Sequence, residues 1–168
     1  MREINVEEII ENISEMCIEI NHRLTADMVD LLDQSAEREE SATGKQVLSQ
    51  LKKNLEIASN EMIPICQDTG MAVVFLEIGQ DVHLTGGALF DAVNEGIRLG
   101  YTEGFLRKSV VGDPIIRENT KDNTPAVLHT SIVPGDNVKI TVAPKGFGSE
   151  NMSRIFMLKP AEGIEGVK

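Results

Sequence analysis

Residues 64–78, PICQDTGMAVVFLEI, mark the point where the sequence changes from a helical to a mixed character. The helical pattern that precedes this stretch ends at Pro64, because proline lacks an N–H group and disrupts a helix interior. The run from Met71 to Ile78 is mostly apolar, partly β-branched and bounded by two glycines, which predicts a buried strand. The polar residues between the proline and the strand are therefore predicted to form a loop, a common place for functional side chains.

The sequence before this junction has the pattern of three helices. Over residues 6–24, apolar residues recur every three or four positions and glutamates lie between them, as in an amphipathic helix. Thr25 is a suitable N-cap for a second helix. Gly44 is predicted to break the pattern before a third helix that runs to Met62. Residues 1–62 are therefore predicted to be helical throughout.

The sequence after the junction, residues 63–168, is predicted to be mixed α/β. We expect a helix that closes at Gly100, irregular structure over residues 101–125, and two strands at residues 126–133 and 138–143. The residues between these two strands, PGDN, are typical of a turn, so the strands are predicted to form a hairpin. The expected fold class is α+β: an N-terminal helical part followed by a mixed sheet with flanking helices, in one domain over residues 1–168.

Composition and charge exclude several classes of partner. The chain has 168 residues, with 16 Lys and Arg against 27 Asp and Glu, and a net charge of −11. Nucleic acids and anionic membranes attract basic surfaces, so neither is an expected partner. The sequence has no apolar run of the roughly 20 residues that a membrane helix needs, and no signal peptide is visible at its start. The chain has only two cysteines, which excludes a disulfide-rich secreted protein, and we expect a cytoplasmic location.

The two cysteines differ in their surroundings. Cys17 lies on the apolar side of the first helix and is predicted to be a small core residue. Cys66 lies in the junction loop beside Gln67, Asp68 and Thr69, which together offer an amide, an acid–base group and a hydroxyl. A lone cysteine at the start of a strand is more often a packing residue than a ligand, so a non-catalytic binding or assembly module with a buried Cys66 is an alternative. The triplet DTG also occurs in aspartic proteases, where two aspartates share a proton, but such proteases are all-β and this chain begins with helices.

Two further segments contain residues suited to binding an anion. Over residues 106–125, Arg107 is followed by Lys108 and Ser109, and Arg117 is followed by the residues ENT. A guanidinium group beside such polar residues can hold a carboxylate through two charge-assisted hydrogen bonds. In the loop PKGFGSENMS, residues 144–153, glycines allow the backbone to approach a ligand closely, and successive N–H groups can bind an anion. Taken one at a time, the two segments can also be read as an ordinary polar loop and a plain turn.

Four segments, taken together and in order, resemble one family of enzymes. They are PICQDTG at residues 64–70, LRKSVV at 106–111, NTKDNTPA at 119–126 and APKGFGSENMS at 143–153. Their sequences resemble the class I fumarate hydratases and the L-tartrate dehydratases, which are iron–sulfur hydro-lyases. The resemblance is to the α subunit of the two-subunit form or to the N-terminal part of the single-chain form, and it covers nearly the whole chain.

The resemblance implies a function and a set of site residues. Enzymes of this family add water to, or remove it from, a four-carbon dicarboxylate such as fumarate, malate or tartrate, and fumarate hydration belongs to the tricarboxylic acid cycle. Three cysteines hold a [4Fe–4S] cluster whose open iron acts as a Lewis acid on the substrate hydroxyl group. By resemblance, Cys66 is one of these three ligands, Gln67 and Asp68 contact the substrate, and Asp68 is a candidate for acid–base catalysis. Arg107 binds a substrate carboxylate, and Gly148 approaches the substrate through its backbone.

The chain also departs from the family pattern. Many relatives have three consecutive glycines where this chain has Gly146, Phe147 and Gly148, so Phe147 is expected to line the pocket. Cys17 does not match either of the two remaining ligand positions, which in the family lie further along the α chain. The sequence is therefore interpreted as a truncated chain or one piece of a split enzyme, with little or no activity alone. The resemblance implies a β subunit or C-terminal domain as partner, and a homodimer.

Overall fold

A three-stranded sheet packed against two helices forms the centre of the fold in the computed structural model, which describes residues 1–148 and 152–168. The elements are β1 (Arg2–Asn5), α1 (Val6–His22), α2 (Ala26–Arg38), α3 (Ala42–Glu61), β2 (Met71–Gly79), β3 (Val82–Thr85), α4 (Leu89–Glu103), β4 (Val127–Val133), β5 (Val138–Lys145) and α5 (Gly163–Val167). A short 3-10 helix, Pro160–Glu162, precedes α5. The α+β fold class predicted from the sequence is confirmed.

The central strand of the sheet is β2, which the sequence predicted from its apolar run. It pairs with β4 in parallel orientation and with β5 in antiparallel orientation. Ala72, Val74 and Leu76 are buried while Phe75 is exposed, the alternation expected when one face of a sheet meets the core. Because β2 follows directly on the junction loop, this well-packed strand determines where the loop lies.

Helices α1 and α4 pack closely against each other and share the core with the sheet. A Cβ atom added at Gly96 would lie 2.9 Å from the Ile10 carbonyl oxygen, and one added at Gly100 would lie 2.7 Å from the Cys17 Cβ atom. The helices therefore approach this closely only because both positions are glycine. Cys17 is fully buried, and burial raises the pKa of its thiol to about 12, which confirms the prediction of a core residue.

Three local features differ from the prediction. A short strand, β1, precedes α1 and pairs in parallel with β3, and four residues are too few to show a strand pattern in the sequence. Gly44 does not break a helix but lies in the first turn of α3, where its N–H group donates a 3.2 Å hydrogen bond to Ser41 Oγ. Helix α4 continues past Gly100 to Glu103, because that glycine faces α1 rather than ending the helix.

The hairpin predicted for the last two long strands is wrong, although both strands exist. β4 and β5 are joined by a short turn but do not pair, because β2 lies between them. The turn closes over the end of β2, where Gly79 N donates to the Asn137 carbonyl oxygen over 2.8 Å and Asp81 N donates to the Gly135 carbonyl oxygen over 3.0 Å. β2 thus pairs with both strands, which a local turn signal cannot reveal.

Helices α2 and α3 lie beside this core and bury little of their own surface. α2 has no buried residue, and Ala58 is the buried residue of α3. A 2.6 Å ion pair joins Lys52 of α3 to Asp33 of α2, and such half-exposed pairs contribute little to stability. Within the described residues, none of the helices combines the length and the apolar character needed to cross a membrane.

Candidate functional site

The junction loop turns sharply against the end of β5 before it enters β2. Gly70 has a φ of 63°, and a Cβ atom there would lie 2.1 Å from the carbonyl oxygen of Lys145. Only glycine combines this left-handed conformation with so close an approach. The turn places the Asp68 carboxylate between two backbone donors: Gly70 N donates to Oδ1 over 3.2 Å and Phe147 N donates to Oδ2 over 2.9 Å. Asp68 is therefore held where two of the motif segments meet.

Thr69 connects the junction loop to the segment that contains Arg107. Its buried side chain donates a 2.8 Å hydrogen bond from Oγ1 to the Arg107 carbonyl oxygen. The hydroxyl of Tyr101, near the end of α4, donates to the Thr69 carbonyl oxygen over 2.9 Å. Burial raises the pKa of Tyr101, so its hydroxyl stays a proton donor at physiological pH. These bonds fix the backbone at Arg107 relative to Asp68.

Asn123 joins three of the motif segments through one side chain. The residue is fully buried, its Nδ2 donates to the Gly70 carbonyl oxygen over 3.0 Å, and its Oδ1 accepts from Ser109 N at 2.8 Å and Val110 N at 3.2 Å. Its φ is 66°, a conformation that asparagine adopts more readily than most residues. Taken alone, the residues DNTP at positions 122–125 predict only a turn within the stretch expected to be irregular, so sequence reasoning missed this role. The position of Asn123 inside the third family-like segment was the available signal.

A cavity of about 520 Å³ opens where these segments meet. Its lining comes from the junction loop, the first residue of β2, the segments after α4 and the glycine loop: Asp68, Met71, residues 107–111, Arg117, Asn119 and Phe147. This volume suits a small molecule. Of the site residues predicted from the sequence, the structure brings Asp68 and Arg107 together in this lining.

Three cations line the cavity without an intramolecular partner. The side chains of Arg107, Lys108 and Arg117 make no ion pair or hydrogen bond within residues 1–148 and 152–168. Asp68 is the one carboxylate in the lining. Because the whole chain carries a charge of −11, this local positive excess belongs to the site and not to the overall composition. The cavity is therefore suited to binding a small anion.

Cys66 and Gln67 lie immediately before Asp68, and both are exposed. The Cys66 Sγ accepts a 3.4 Å hydrogen bond from Asp68 N, so the thiol lies against the turn that holds the carboxylate. The alternative that required a buried Cys66 is wrong on this point. Over the part of the chain that the structure describes, no group of three or more His, Cys, Asp or Glu side chains could hold a metal ion. One thiol does not complete a cluster site, so further residues would have to supply the other ligands.

The glycine loop reaches the cavity through Phe147 rather than through Gly148. Phe147 lines the cavity, as its place between two glycines suggested. Gly148 is exposed, and no atom would lie within 4 Å of a Cβ atom added there. Gly146 lies closer to the carboxylate, since a Cβ atom at that position would be 3.0 Å from Asp68 Oδ2. Residues 149–151, which belong to the predicted anion-binding loop, lie outside the described residues.

A second cavity, of about 450 Å³, lies between α2 and α3. Its lining includes Leu24, Leu32 and Leu55 together with the ion pair of Lys52 and Asp33. It contains none of the motif residues. The cavity at the junction loop is therefore the candidate functional site.

Comparisons with known proteins find relatives over most of the chain. The family model described as fumarate hydratase (Fumerase) matches residues 10–168. A Methanocaldococcus jannaschii protein with the provisional name L(+)-tartrate dehydratase subunit alpha is 36% identical over 151 residues, which cover 86% of this chain and 53% of that protein. The L(+)-tartrate dehydratase subunit alpha of Escherichia coli is 30% identical over 163 residues, covering 95% of this chain and 52% of the relative. The anaerobic class I fumarate hydratase of Escherichia coli is 36% identical over 120 residues, covering 70% of this chain and 22% of the relative.

The chain spans about half the length of the two tartrate dehydratase subunits that it matches, and less of the fumarate hydratase. The family match includes all four segments on which the resemblance was based. The resemblance drawn from those segments is therefore confirmed. This chain belongs to the fumarate hydratase (Fumerase) family.

Proposed function

We propose that this chain is the α-subunit or N-terminal part of an iron–sulfur hydro-lyase that hydrates fumarate to malate or dehydrates a related hydroxy dicarboxylate. The observation that carries the proposal is the cavity in which three cations lack intramolecular partners while the Asp68 carboxylate is held among them. Such a cavity suits a small dianion that must also gain or lose a proton. The names of the relatives, L(+)-tartrate dehydratase and fumarate hydratase, support this class of substrate.

Arg107 and Asp68 have separate roles in this proposal. Arg107 binds one substrate carboxylate, because a guanidinium group offers two parallel N–H donors to the two carboxylate oxygens. Asp68 exchanges a proton at the carbon next to a carboxylate. Its two backbone hydrogen bonds restrict the direction of the side chain, while its oxygens retain lone pairs for a substrate proton. The family resemblance assigns substrate contacts to Gln67 and Gly148 as well, although neither residue lines the cavity in this structure.

Cys66 is proposed as one of the three ligands of a [4Fe–4S] cluster in the complete enzyme. It is the exposed cysteine of the two in the chain, and its Sγ lies beside the turn that holds Asp68. When bound, such a cluster supplies a Lewis acid for the substrate hydroxyl group. The other two ligands lie outside this chain, so the chain alone has little or no hydratase activity.

The proposed partners follow from the same assignment. A β subunit or C-terminal domain completes the enzyme, and the complete enzyme is a homodimer. An exposed cluster is sensitive to oxygen, which favours a reducing, cytoplasmic setting. Fumarate hydration would place the enzyme in the tricarboxylic acid cycle, whereas tartrate dehydration would not.

Anaerobic reconstitution with iron and sulfide tests the proposal. The chain produced together with a β subunit or C-terminal domain is expected to show a cluster absorption spectrum and to convert fumarate to malate, or to dehydrate tartrate. Cys66→Ser is expected to abolish both signals. Cys17→Ala is the matched control, because Cys17 is buried and its pKa is raised to about 12. A cluster spectrum that persists unchanged in Cys66→Ser would exclude Cys66 as a ligand.

A non-catalytic binding or assembly role is the second candidate. The observation that supports it is the cavity with its three cations, because binding a dicarboxylate there requires no cluster. This role predicts that the chain binds a dicarboxylate but forms no cluster and shows no turnover after reconstitution. The aspartic protease interpretation of Asp68 is not retained, because the chain belongs to a different family.

A further inference from the structure

A small hairpin lies beside the cavity and carries one of its three cations. The two ends of the hairpin meet in a bridge between Val111 and Asn119. At its turn, Asp113 Oδ1 accepts a 2.8 Å hydrogen bond from Ile115 N, and the Asp113 carbonyl oxygen accepts one of 2.8 Å from Arg117 N. This hydrogen-bonded turn places Arg117 in the lining of the cavity.

Arg117 has two unusual properties for an exposed arginine. Its φ is 59°, in the left-handed region that a residue with a side chain adopts at a cost in backbone strain. Its guanidinium group has no ion pair or hydrogen bond within the described part of the chain. Glycine would relieve the strain, and no intramolecular contact of the guanidinium compensates for keeping arginine. The side chain is therefore suited to a contact with a molecule that enters the cavity.

The distribution of charge around the cavity indicates the class of that molecule. Arg107 and Lys108 are neighbours in the segment that follows α4, whereas Arg117 lies on the separate hairpin. Two cations on separate segments can bind the two ends of one dianion. A monocarboxylate would contact only one of the two cations. Arg117 is therefore the residue expected to favour dicarboxylates over monocarboxylates.

We propose that Arg117 binds the second carboxylate of a dicarboxylate substrate while Arg107 binds the first. This inference rests on the proposed function and adds the residue that selects a dicarboxylate over a monocarboxylate. The strained backbone is retained at this position because glycine, which fits the turn better, has no group to bind the second carboxylate.

Binding of two four-carbon ligands, succinate and butyrate, to the full chain tests the inference. Arg117→Gly is expected to bind succinate about 10- to 100-fold more weakly, as for the loss of one hydrogen bond to a charged group, and to bind butyrate unchanged. Its melting temperature is expected to stay the same or to rise, because the strain is relieved. A purely structural role for Arg117 would instead lower the melting temperature and affect both ligands alike.

Lys121→Gly is the matched control. Lys121 is also an exposed cation with a positive φ, 71°, but it does not line the cavity. Removing its side chain is expected to leave both affinities as they are in the unmodified chain. An equal loss of succinate binding in Lys121→Gly would mean that net charge, rather than a contact by Arg117, sets the affinity, and would overturn the inference.

The outcomes also separate this inference from the proposed function. If Arg117→Gly binds succinate as tightly as the unmodified chain while Arg107→Gln does not, Arg117 has no part in selection and the proposed function stands. If the unmodified chain binds succinate no better than butyrate, the dicarboxylate site is refuted and the inference with it. Should Arg117→Gly unfold, Arg117→Gln replaces it in the test, because glutamine keeps a long polar side chain without the charge. The inference then requires Arg117→Gln to lower the ratio of succinate affinity to butyrate affinity, and an unchanged ratio overturns it.

Discussion

Replacing Asn123 by alanine is expected to destabilise the fold strongly, because this one buried side chain satisfies three backbone groups. The change removes the partners of the Gly70 carbonyl oxygen and of the Ser109 and Val110 N–H groups. A buried polar group left without a partner costs about 1–3 kcal/mol. Gly70 and Val110 are buried while Ser109 is half-buried, so water can replace part of the third bond. The expected loss is about 3–6 kcal/mol, a large share of the roughly 5–15 kcal/mol that keeps a domain folded.

Urea unfolding followed by circular dichroism measures this loss, and two further variants divide it into its causes. Asn123→Gly loses the same hydrogen bonds but tolerates the φ of 66°, so it should be less destabilised than the alanine variant by about 1 kcal/mol. Asn119→Ala is the matched control. It loses a 2.9 Å bond to the Lys108 carbonyl oxygen and a 2.6 Å bond from Lys121 N, but Asn119 is exposed, so water can replace both partners and the cost should stay below about 1 kcal/mol. A loss below about 1 kcal/mol in Asn123→Ala would refute the view that this side chain holds the segments together.

Two further changes test the packing of the core and the hairpin beside the cavity. Gly96→Ala should lower the free energy of unfolding by about 1–3 kcal/mol, because the added Cβ atom would lie 2.9 Å from an atom of α1. Gly112→Ala is the control: the atom nearest to its added Cβ would be 3.8 Å away, so the same urea titration should show almost no change. Hydrogen bonds from Ile116 N and Ile115 N lower the pKa of Asp113. The ionised carboxylate therefore stabilises the hairpin turn fully above the ordinary pKa of an aspartate. This stabilisation is lost as the pH falls through the lowered pKa. Hydrogen exchange at the Ile116 amide, corrected for its intrinsic pH dependence, should therefore accelerate in acid, while Asp113→Asn, which keeps a neutral acceptor, should remove this dependence on pH.

The elements that the sequence predicted correctly are those with a local signal. The three-to-four spacing of α1 and the apolar run of β2 each depend on residues that lie next to one another in the chain. The pairing of β1 with β3 and the insertion of β2 between β4 and β5 depend on contacts between distant residues. The turn after β4 carries the composition of a hairpin, and nothing in its own residues reveals that another strand separates its two arms.

The same distinction applies to the site. Asp68 and Arg107 belong to segments whose residue types suggest chemistry, so motif reasoning could name them. Arg117 could also be named from its sequence neighbours as a group that can hold a carboxylate, whereas Asn123 could not, because its importance depends on burial and on a positive φ. In a sequence, asparagine beside aspartate predicts a turn, and an arginine in a polar stretch is equally compatible with an ordinary surface loop. Only the folded chain shows that one is enclosed and that the other lacks an intramolecular partner.

The cavity keeps its three cations available because their side chains make none of the contacts that join the surrounding segments. The segments that form the cavity are joined by the amide of Asn123 and the hydroxyls of Thr69 and Tyr101, and none of these contacts uses a charged side chain. An arginine that also served as an anchor would already be paired with a carboxylate or a carbonyl group, and binding an anion would first require that pair to break. Because the cations make none of these structural contacts, stability and anion binding should respond to different substitutions. Changes at Asn123 should lower stability, whereas Arg107→Gln should weaken succinate binding with little change in the melting temperature.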